Sequence, residues 1–124
     1  GYQPAERLAE VLATGDIHVV PLRTGLASAS VPSKAYSTMA AGRPIIASVD
    51  EDTEVALMVA DADGGLAVPP DDPDAFIAAV EYLAGDVKLR TRMGANARRW
   101  AEKCHSARVT AVSYLDLVGR LSRP

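Results

Sequence analysis

At 124 residues, the chain has room for one domain with a substantial hydrophobic core. Its apolar fraction of 48% and charged fraction of 23% are ordinary for a soluble globular protein, and a net charge of −3 argues against a broad nucleic-acid-binding surface. The single cysteine, Cys104, excludes an internal disulfide, no cysteine–histidine cluster suggests a metal site, and no apolar run could cross a membrane. These features predict a cytoplasmic protein without a metal.

The first part of the chain alternates helix, strand and loop. A helix is predicted from Pro4 to Ala13, because its apolar residues recur at helical spacing. The β-branched run from Asp16 to Leu22 predicts a strand of the kind that parallel sheets bury on both faces. Small and polar residues from Arg23 to Val31 then indicate a mobile loop.

The segment from Val31 to Ser48 carries the most information. Ser33 is predicted to cap a helix that runs from Ser33 to Ala41, and Gly42 to end it. Pro44 prevents the helix from continuing, and a buried strand is predicted from Pro44 to Val49. The free N–H groups at the helix start, the positive end of its dipole and the neighbouring Lys34 together suit an anionic group such as a phosphate.

The remainder predicts one further strand and a helical end. A helix from Glu51 to Ala62 precedes a short strand from Gly64 to Val68. Three further helices are then predicted. The first begins at Asp71–Asp74, the second begins after the break at Gly85–Asp86, and the third runs from Ser106 to about Leu121. The pattern predicts an α/β fold in a single partial domain spanning residues 1–124. Its partial doubly wound, Rossmann-like parallel sheet of about three strands precedes two or three C-terminal helices.

The order of these motifs resembles the end of the C-terminal domain of a retaining group 1 glycosyltransferase with the GT-B fold. The resemblance covers essentially the whole chain, and each motif matches in family order. The matching segments are Gly1–Leu12 with its Gly-Tyr-Gln-Pro start, the "aDi.v.Pl" strand at Gly15–Leu22, the "PSK…MAaGkPvias" segment at Pro32–Ser48, the "G.vvpp.dp" strand at Gly65–Asp71, and the "mg..ar.w" helix at Asp86–Trp100.

The resemblance implies an activity and its partners. Such enzymes bind a nucleotide-sugar donor mainly through the C-terminal domain, retain the anomeric configuration and need no metal or other cofactor. It also implies a cell-envelope glycan or lipid acceptor, bound across a cleft by an N-terminal domain that is absent here, and a place at the inner face of the membrane. The chain is therefore expected to be an inactive portion of a longer enzyme. The alternative is a small non-catalytic α/β interaction module; another Rossmann-type nucleotide-binding domain is disfavoured, since neither G-x-G-x-x-G nor a P-loop is present.

The resemblance also implies a set of donor-binding residues, while no catalytic residue is assigned. Ser37 stands where many relatives carry a glutamate that holds the donor ribose, and Ala29 stands where they carry the preceding one. A hydroxyl can hydrogen-bond a ribose, but it lacks the charged, bidentate acceptor of a carboxylate. The donor-binding candidates are Gly25, Leu26, Ser33, Lys34 and Ser37, with Tyr36 and Glu54 as weaker candidates.

Structural interpretations stand beside these functional ones. Lys34 could be an ordinary solvated lysine, Gly25 a turn residue, and Glu54 a helix-surface residue. Tyr36 and His18 are expected to be packed, and residues 50–52 to form a solvated acidic turn.

Two surfaces suggest contacts. The arginines at positions 90, 92, 98 and 99 could face an anionic membrane or simply water. The strand edge at Ile17–Pro21 lacks a preceding partner strand, which predicts self-association.

Overall fold

The computed structural model describes residues 3–26 and 32–122, apart from the side chain of His105, and confirms the α/β alternation. A 3₁₀ turn at Ala5–Arg7 leads directly into the first helix. The elements, in chain order, are α1 (Leu8–Thr14), β1 (His18–Pro21), α2 (Ser33–Ala40), β2 (Ile45–Ser48), α3 (Glu54–Ala62), β3 (Gly65–Val68), α4 (Pro73–Gly85), α5 (Val87–His105) and α6 (Ala107–Leu121).

Within the described residues, the strands form one parallel sheet of three in the order β1–β2–β3. Ile45 of β2 aligns with His18 of β1 and with Gly65 of β3. The central strand β2 is the most buried, since Ile45, Ile46 and Ala47 are all 0% exposed. Successive side chains of a strand point to opposite faces, so β2 supplies apolar residues to two cores.

The two cores lie on opposite faces of the sheet. On one face, Ile45 and Ala47 join a cluster that includes Met39 of α2 and Val55 and Val59 of α3. On the other face, Ile46 packs with Ala79 and Leu83 of α4 and with Met93 of α5. Because Ala97 of α5 belongs to the first cluster and Met93 to the second, α5 connects both cores.

The prediction that the first strand is buried on both faces is wrong. Val20 is 3% exposed, but Val19 on the opposite face is 40% exposed. The reason is position in the sheet: β1 lies at one edge, while α4 packs against β2 and β3. A strand's sequence does not reveal whether a neighbour will cover it.

The prediction that Ser33 caps α2 is also wrong. Pro32 occupies the N-cap position and has no side-chain oxygen to accept a hydrogen bond, and Ser33 is the first helical residue. The four helices that follow all begin with a side-chain cap, in which the oxygens of Thr53, Asp72, Asp86 and Ser106 accept backbone N–H groups at 2.9–3.3 Å.

Gly42 ends α2 as predicted. It has a φ of +72°, and its N–H donates to the carbonyl of Met39 at 2.9 Å. The N–H of Arg43 donates to the carbonyl of Thr38 at 3.3 Å, which completes a Schellman motif.

Arginines satisfy the carboxyl ends of three helices. Arg43 donates to the Ala13 carbonyl at the end of α1, and Arg98 donates to the Ala40 carbonyl at the end of α2. Arg90 donates to the carbonyls of Leu83 and Ala84 in α4, both at 2.6 Å. A guanidinium at this end of a helix also interacts favourably with the helix dipole. Arg90 and Arg98 therefore have roles inside the fold, and membrane contact by this face stays a prediction.

The last helix, α6, is largely exposed. None of the described side chains of α6 is buried, and Leu115 and Leu121 are 73% and 76% exposed. None of the helices in the described ranges is both long and apolar enough to span a bilayer.

The backbones of α5 and of the turn after α2 meet at two glycines. A Cβ placed on Gly94 would clash with the carbonyl oxygen of Gly42, whereas a Cβ on Gly119 of α6 would meet nothing within 4 Å. Both glycines lie inside helices, where alanine is intrinsically favoured by up to about 1 kcal/mol.

We therefore expect opposite effects from the same substitution at these two sites. Gly94→Ala should lower the free energy of unfolding by about 1–3 kcal/mol, because the helices must separate to admit the methyl group. Gly119→Ala is the matched control and should leave stability unchanged or raise it by up to about 1 kcal/mol. Urea denaturation measures both, and equal stability of the two variants would contradict the close approach.

Candidate functional site

The segments that follow the three strands meet at one edge of the sheet. Parallel strands place their carboxyl ends together, and open α/β sheets generally bind ligands there. Two hydrogen bonds cross this edge. The Thr24 hydroxyl donates to Asp71 Oδ2 at 2.8 Å, and the backbone N–H of Gly25 donates to Asp50 Oδ2 at 3.1 Å. The loop after β1 is thus joined to the segments after β2 and β3.

Helix α2 begins at the same edge, because it follows β1 and returns the chain to the start of β2. The N–H of Ala35 donates to the Pro32 carbonyl at 3.0 Å, and the N-cap residue Pro32 supplies no side-chain acceptor for the N–H groups of Ser33 and Lys34. Ser33 and Lys34 are exposed in this first turn. The arrangement suits an anion, because the helix dipole and the ammonium group are both positive.

Ser37 lies one turn further along α2 and is half-buried. Its hydroxyl donates to the carbonyl of Ser33 at 3.3 Å, which puts the two serines on one face of the helix. This face borders a cavity of about 430 Å³ between α1, α2 and α5, whose lining also includes Leu8, Leu12 and Arg98.

The remaining donor-binding candidates lie in the loop after β1. Gly25 has a φ of +78° and Leu26 is 48% exposed. The structure therefore places Ser33, Lys34 and Ser37 together on α2, and Gly25 and Leu26 together after β1. Ala29 lies outside the described residues.

Tyr36 and Glu54 are in direct contact, because the Tyr36 hydroxyl donates to Glu54 Oε1. Partial burial, followed by this hydrogen bond and the negative charge of Glu54, raises the pKa of Tyr36 from 10.0 to about 12. The pair lines an open cavity of about 540 Å³ together with Asp61 and Trp100. Trp100 Nε1 donates to Asp61 Oδ2 at 2.6 Å, so this cavity has aromatic and acidic walls.

Other candidates serve the fold. His18 is half-buried and its Nε2 lies 2.8 Å from the Leu12 carbonyl, which accepts a hydrogen bond from the ring. Trp100 packs against the first core cluster. In the part of the chain that the structure describes, no group of three or more histidine, cysteine or acidic residues could hold a metal ion.

The sequence reasoning missed the contacts of Asp50 and Asp71. Asp50 was expected in a solvated acidic turn and Asp71 in a helix opening, yet both accept hydrogen bonds from the loop after β1. Their positions in the sequence indicate that they lie at the carboxyl edge of the sheet, because each follows closely on a predicted strand. Asp71 also has a left-handed φ of +59°, which the sequence does not reveal.

A family model and a curated protein both match this chain. A family model described as "Glycosyl transferases group 1" matches residues 1–86, a range that ends just after α4. A "Probable glycosyltransferase WbjE" of Pseudomonas aeruginosa is 36% identical over 72 residues, which make up 58% of this chain and 18% of that protein. The chain spans less than a fifth of that curated relative.

The Tyr36–Glu54 contact predicts that Tyr36 loses its proton at a higher pH than an ordinary tyrosine. The Tyr36 phenol should lose its proton near pH 12. Ultraviolet absorbance of the phenolate measures this titration, and the corresponding step should be missing in Tyr36→Phe. Because the folded pKa lies above the unfolded value of 10.0, the stability linked to this proton is complete below pH 10.0 and is lost as pH rises through about 12.

Glu54→Gln should lower the pKa of Tyr36, because it removes the negative charge and leaves an amide in its place. Glu51→Gln, at an exposed position three residues earlier, is the control. The same titration midpoint in wild type and Glu54→Gln would show that Glu54 does not stabilise the protonated phenol.

Proposed function

The chain belongs to the group 1 glycosyltransferases, and we propose that it forms the nucleotide-sugar-binding portion of a retaining transferase. This portion is the second half of a C-terminal GT-B domain. The acceptor is a cell-envelope glycan or lipid that binds to an N-terminal domain outside this chain, at the cytoplasmic face of the membrane. On its own, the chain is expected to bind the donor without transferring its sugar.

The observation that carries the proposal is the start of α2. An uncapped helix N-terminus with the exposed side chains of Ser33 and Lys34 stands at the carboxyl edge of a parallel sheet. A nucleotide sugar releases its diphosphate during transfer, and negative charge grows on that group in the transition state. Preorganised N–H groups and a lysine would stabilise this charge more than they stabilise the bound donor, which is the requirement for catalysis.

Ser37 is the proposed contact to the ribose. Its hydroxyl bonds the Ser33 carbonyl at 3.3 Å, a long contact that a sugar hydroxyl could replace. Gly25 and Leu26 would border the sugar through the loop after β1. Tyr36 and Glu54 stay weaker candidates: the Tyr36 hydroxyl is committed to Glu54, while the Glu54 carboxylate keeps further acceptor sites.

A non-catalytic interaction module is the second candidate. The exposed apolar residues of α6 and the exposed Val19 at the edge of the sheet favour it. Self-association through the edge at Ile17–Pro21 is proposed for the chain as a portion of a longer transferase, because a doubly wound sheet would pair this strand with an earlier one. Nucleotide binding at α2 separates the two, because an interaction module has no need of it.

Lys34→Ala provides the first test, made in the full-length protein that contains this chain. We expect the affinity for a nucleoside diphosphate, tested with UDP, GDP and ADP by calorimetry, to fall about tenfold with the loss of a charge-assisted hydrogen bond. Lys103→Ala, at an exposed position on α5, is the control and should bind as wild type does. Unchanged affinity in Lys34→Ala would remove this residue from the site.

Ser37→Ala tests the ribose contact separately from the phosphate contact. It should weaken binding of the nucleoside diphosphate about threefold, the effect of one neutral hydrogen bond, and leave binding of inorganic pyrophosphate unchanged. Ser113→Ala in α6 is a matched control, because its hydroxyl makes the same type of bond to the Val109 carbonyl at 3.0 Å. Equal loss for both ligands would contradict a ribose role.

A further inference from the structure

We propose that Asp50 and Asp71 are positioning residues for the donor, because they hold the loop after β1 (residues 22–26) across the carboxyl edge of the sheet. The inference rests on the proposed function and adds to it. The two aspartates would not touch the donor; they would fix the backbone at Thr24 and Gly25, which borders the proposed site.

The first tether joins the loop to the end of the central strand. Asp50 is half-buried and directly follows Val49, whose N–H donates to the Val68 carbonyl at 3.0 Å and so extends the ladder beyond β2. From this rigid base, Asp50 Oδ2 accepts the N–H of Gly25 at 3.1 Å. A φ of +78° at Gly25 suits a residue without a Cβ, and it fixes the direction of this N–H.

The second tether joins the adjacent loop residue to the segment after β3. The hydroxyl of Thr24 donates to Asp71 Oδ2 at 2.8 Å, across 47 positions of sequence. Asp71 itself has a φ of +59°, a left-handed conformation that costs a residue other than glycine on the order of 1 kcal/mol. Such a conformation persists where the surrounding structure requires it, here at the residue that holds Thr24.

Apolar burial holds only the first residue of this loop, Leu22, which packs against the first core cluster. Arg23, Thr24, Gly25 and Leu26 are all exposed, and the turn has one internal backbone bond, from the Leu26 N–H to the Arg23 carbonyl at 3.1 Å. The two carboxylates therefore supply the tertiary connections of two consecutive loop residues. A backbone that must meet a ligand in one geometry needs such support, since small displacements at a site are costly.

The Thr24–Asp71 tether can be tested without straining the backbone. Asp71→Gly removes the carboxylate and accommodates the left-handed φ, whereas Asp71→Asn keeps both an acceptor oxygen and tolerance of that φ. Thr24→Val removes the hydroxyl and keeps the shape of the side chain. In the full-length protein, we expect Asp71→Gly and Thr24→Val each to weaken binding of the nucleoside diphosphates UDP, GDP and ADP, or of their sugar conjugates, about fivefold.

The double variant Thr24→Val/Asp71→Gly should bind no more weakly than either single variant, because both remove the same bond. Asp71→Asn should bind within about twofold of wild type, a rescue that a role for charge alone would not give. Additive losses, or equal losses in Asp71→Asn and Asp71→Gly, would overturn the inference.

The Gly25–Asp50 tether has a second readout. Hydrogen exchange of the peptide that contains Gly25 should be faster in Asp50→Ala than in wild type, and near wild type in Asp50→Asn, whose amide oxygen can accept the same N–H. Asp52→Ala, an exposed position in the same turn, is the control. Wild-type exchange in Asp50→Ala would overturn this tether.

The outcomes also separate this inference from the proposed function. If Lys34→Ala weakens nucleotide binding while the Thr24, Asp50 and Asp71 variants bind as wild type does, the positioning role is wrong and the donor site stands. If wild type binds no nucleoside diphosphate or sugar conjugate, the proposed function is wrong and the positioning role is overturned with it, even where hydrogen exchange shows the tether.

Discussion

The close approach of α5 to the end of α2 is the constraint on which the rest of the structure depends. Gly94 has no room for a Cβ beside the carbonyl oxygen of Gly42, and Arg98, one turn further along α5, donates to the Ala40 carbonyl. These contacts fix the carboxyl end of α2 against the helix that connects both cores. Since a helix of this length is rigid, they also set where its first turn stands at the opposite edge of the sheet.

Helix α2 is asymmetric in how its two ends are satisfied. At its carboxyl end, a Schellman motif and an arginine satisfy the last carbonyls. At its amino end, Pro32 offers no side-chain acceptor, unlike the caps of the following helices. Because no side chain caps this end, an anion can bind the N–H groups of Ser33 and Lys34 without displacing a capping side chain.

The sequence was sufficient for what depends on local rules, and insufficient for what depends on distant contacts. The order of helices and strands follows from periodicity, and Gly42 ends α2 because its left-handed conformation is a local requirement. The exposure of Val19 depends on which strand lies at the edge. The interactions of Asp50 and Asp71 depend on loop residues 25 and 47 positions away, so their places just after predicted strands indicate the edge of the sheet but not the partners. Ser33 failed as a cap by a single position, which is the usual uncertainty of a helix boundary.

The carboxyl edge of the sheet carries a positive region at the first turn of α2 and a negative region at Asp50 and Asp71. A nucleotide sugar likewise has a charged part and a neutral part. Its diphosphate is anionic and suits the first turn of α2, while its sugar is neutral and rich in hydroxyl groups. Two unit charges about 4 Å apart near a protein surface interact by about 4 kcal/mol, and salt largely screens them beyond about 8 Å. Asp50 and Asp71 would therefore oppose a diphosphate only at close range. Their bonds to Gly25 and Thr24 direct one oxygen of each carboxylate toward the loop. The same two residues that would repel a misplaced phosphate would therefore also shape the side of the edge where we propose that the neutral sugar binds.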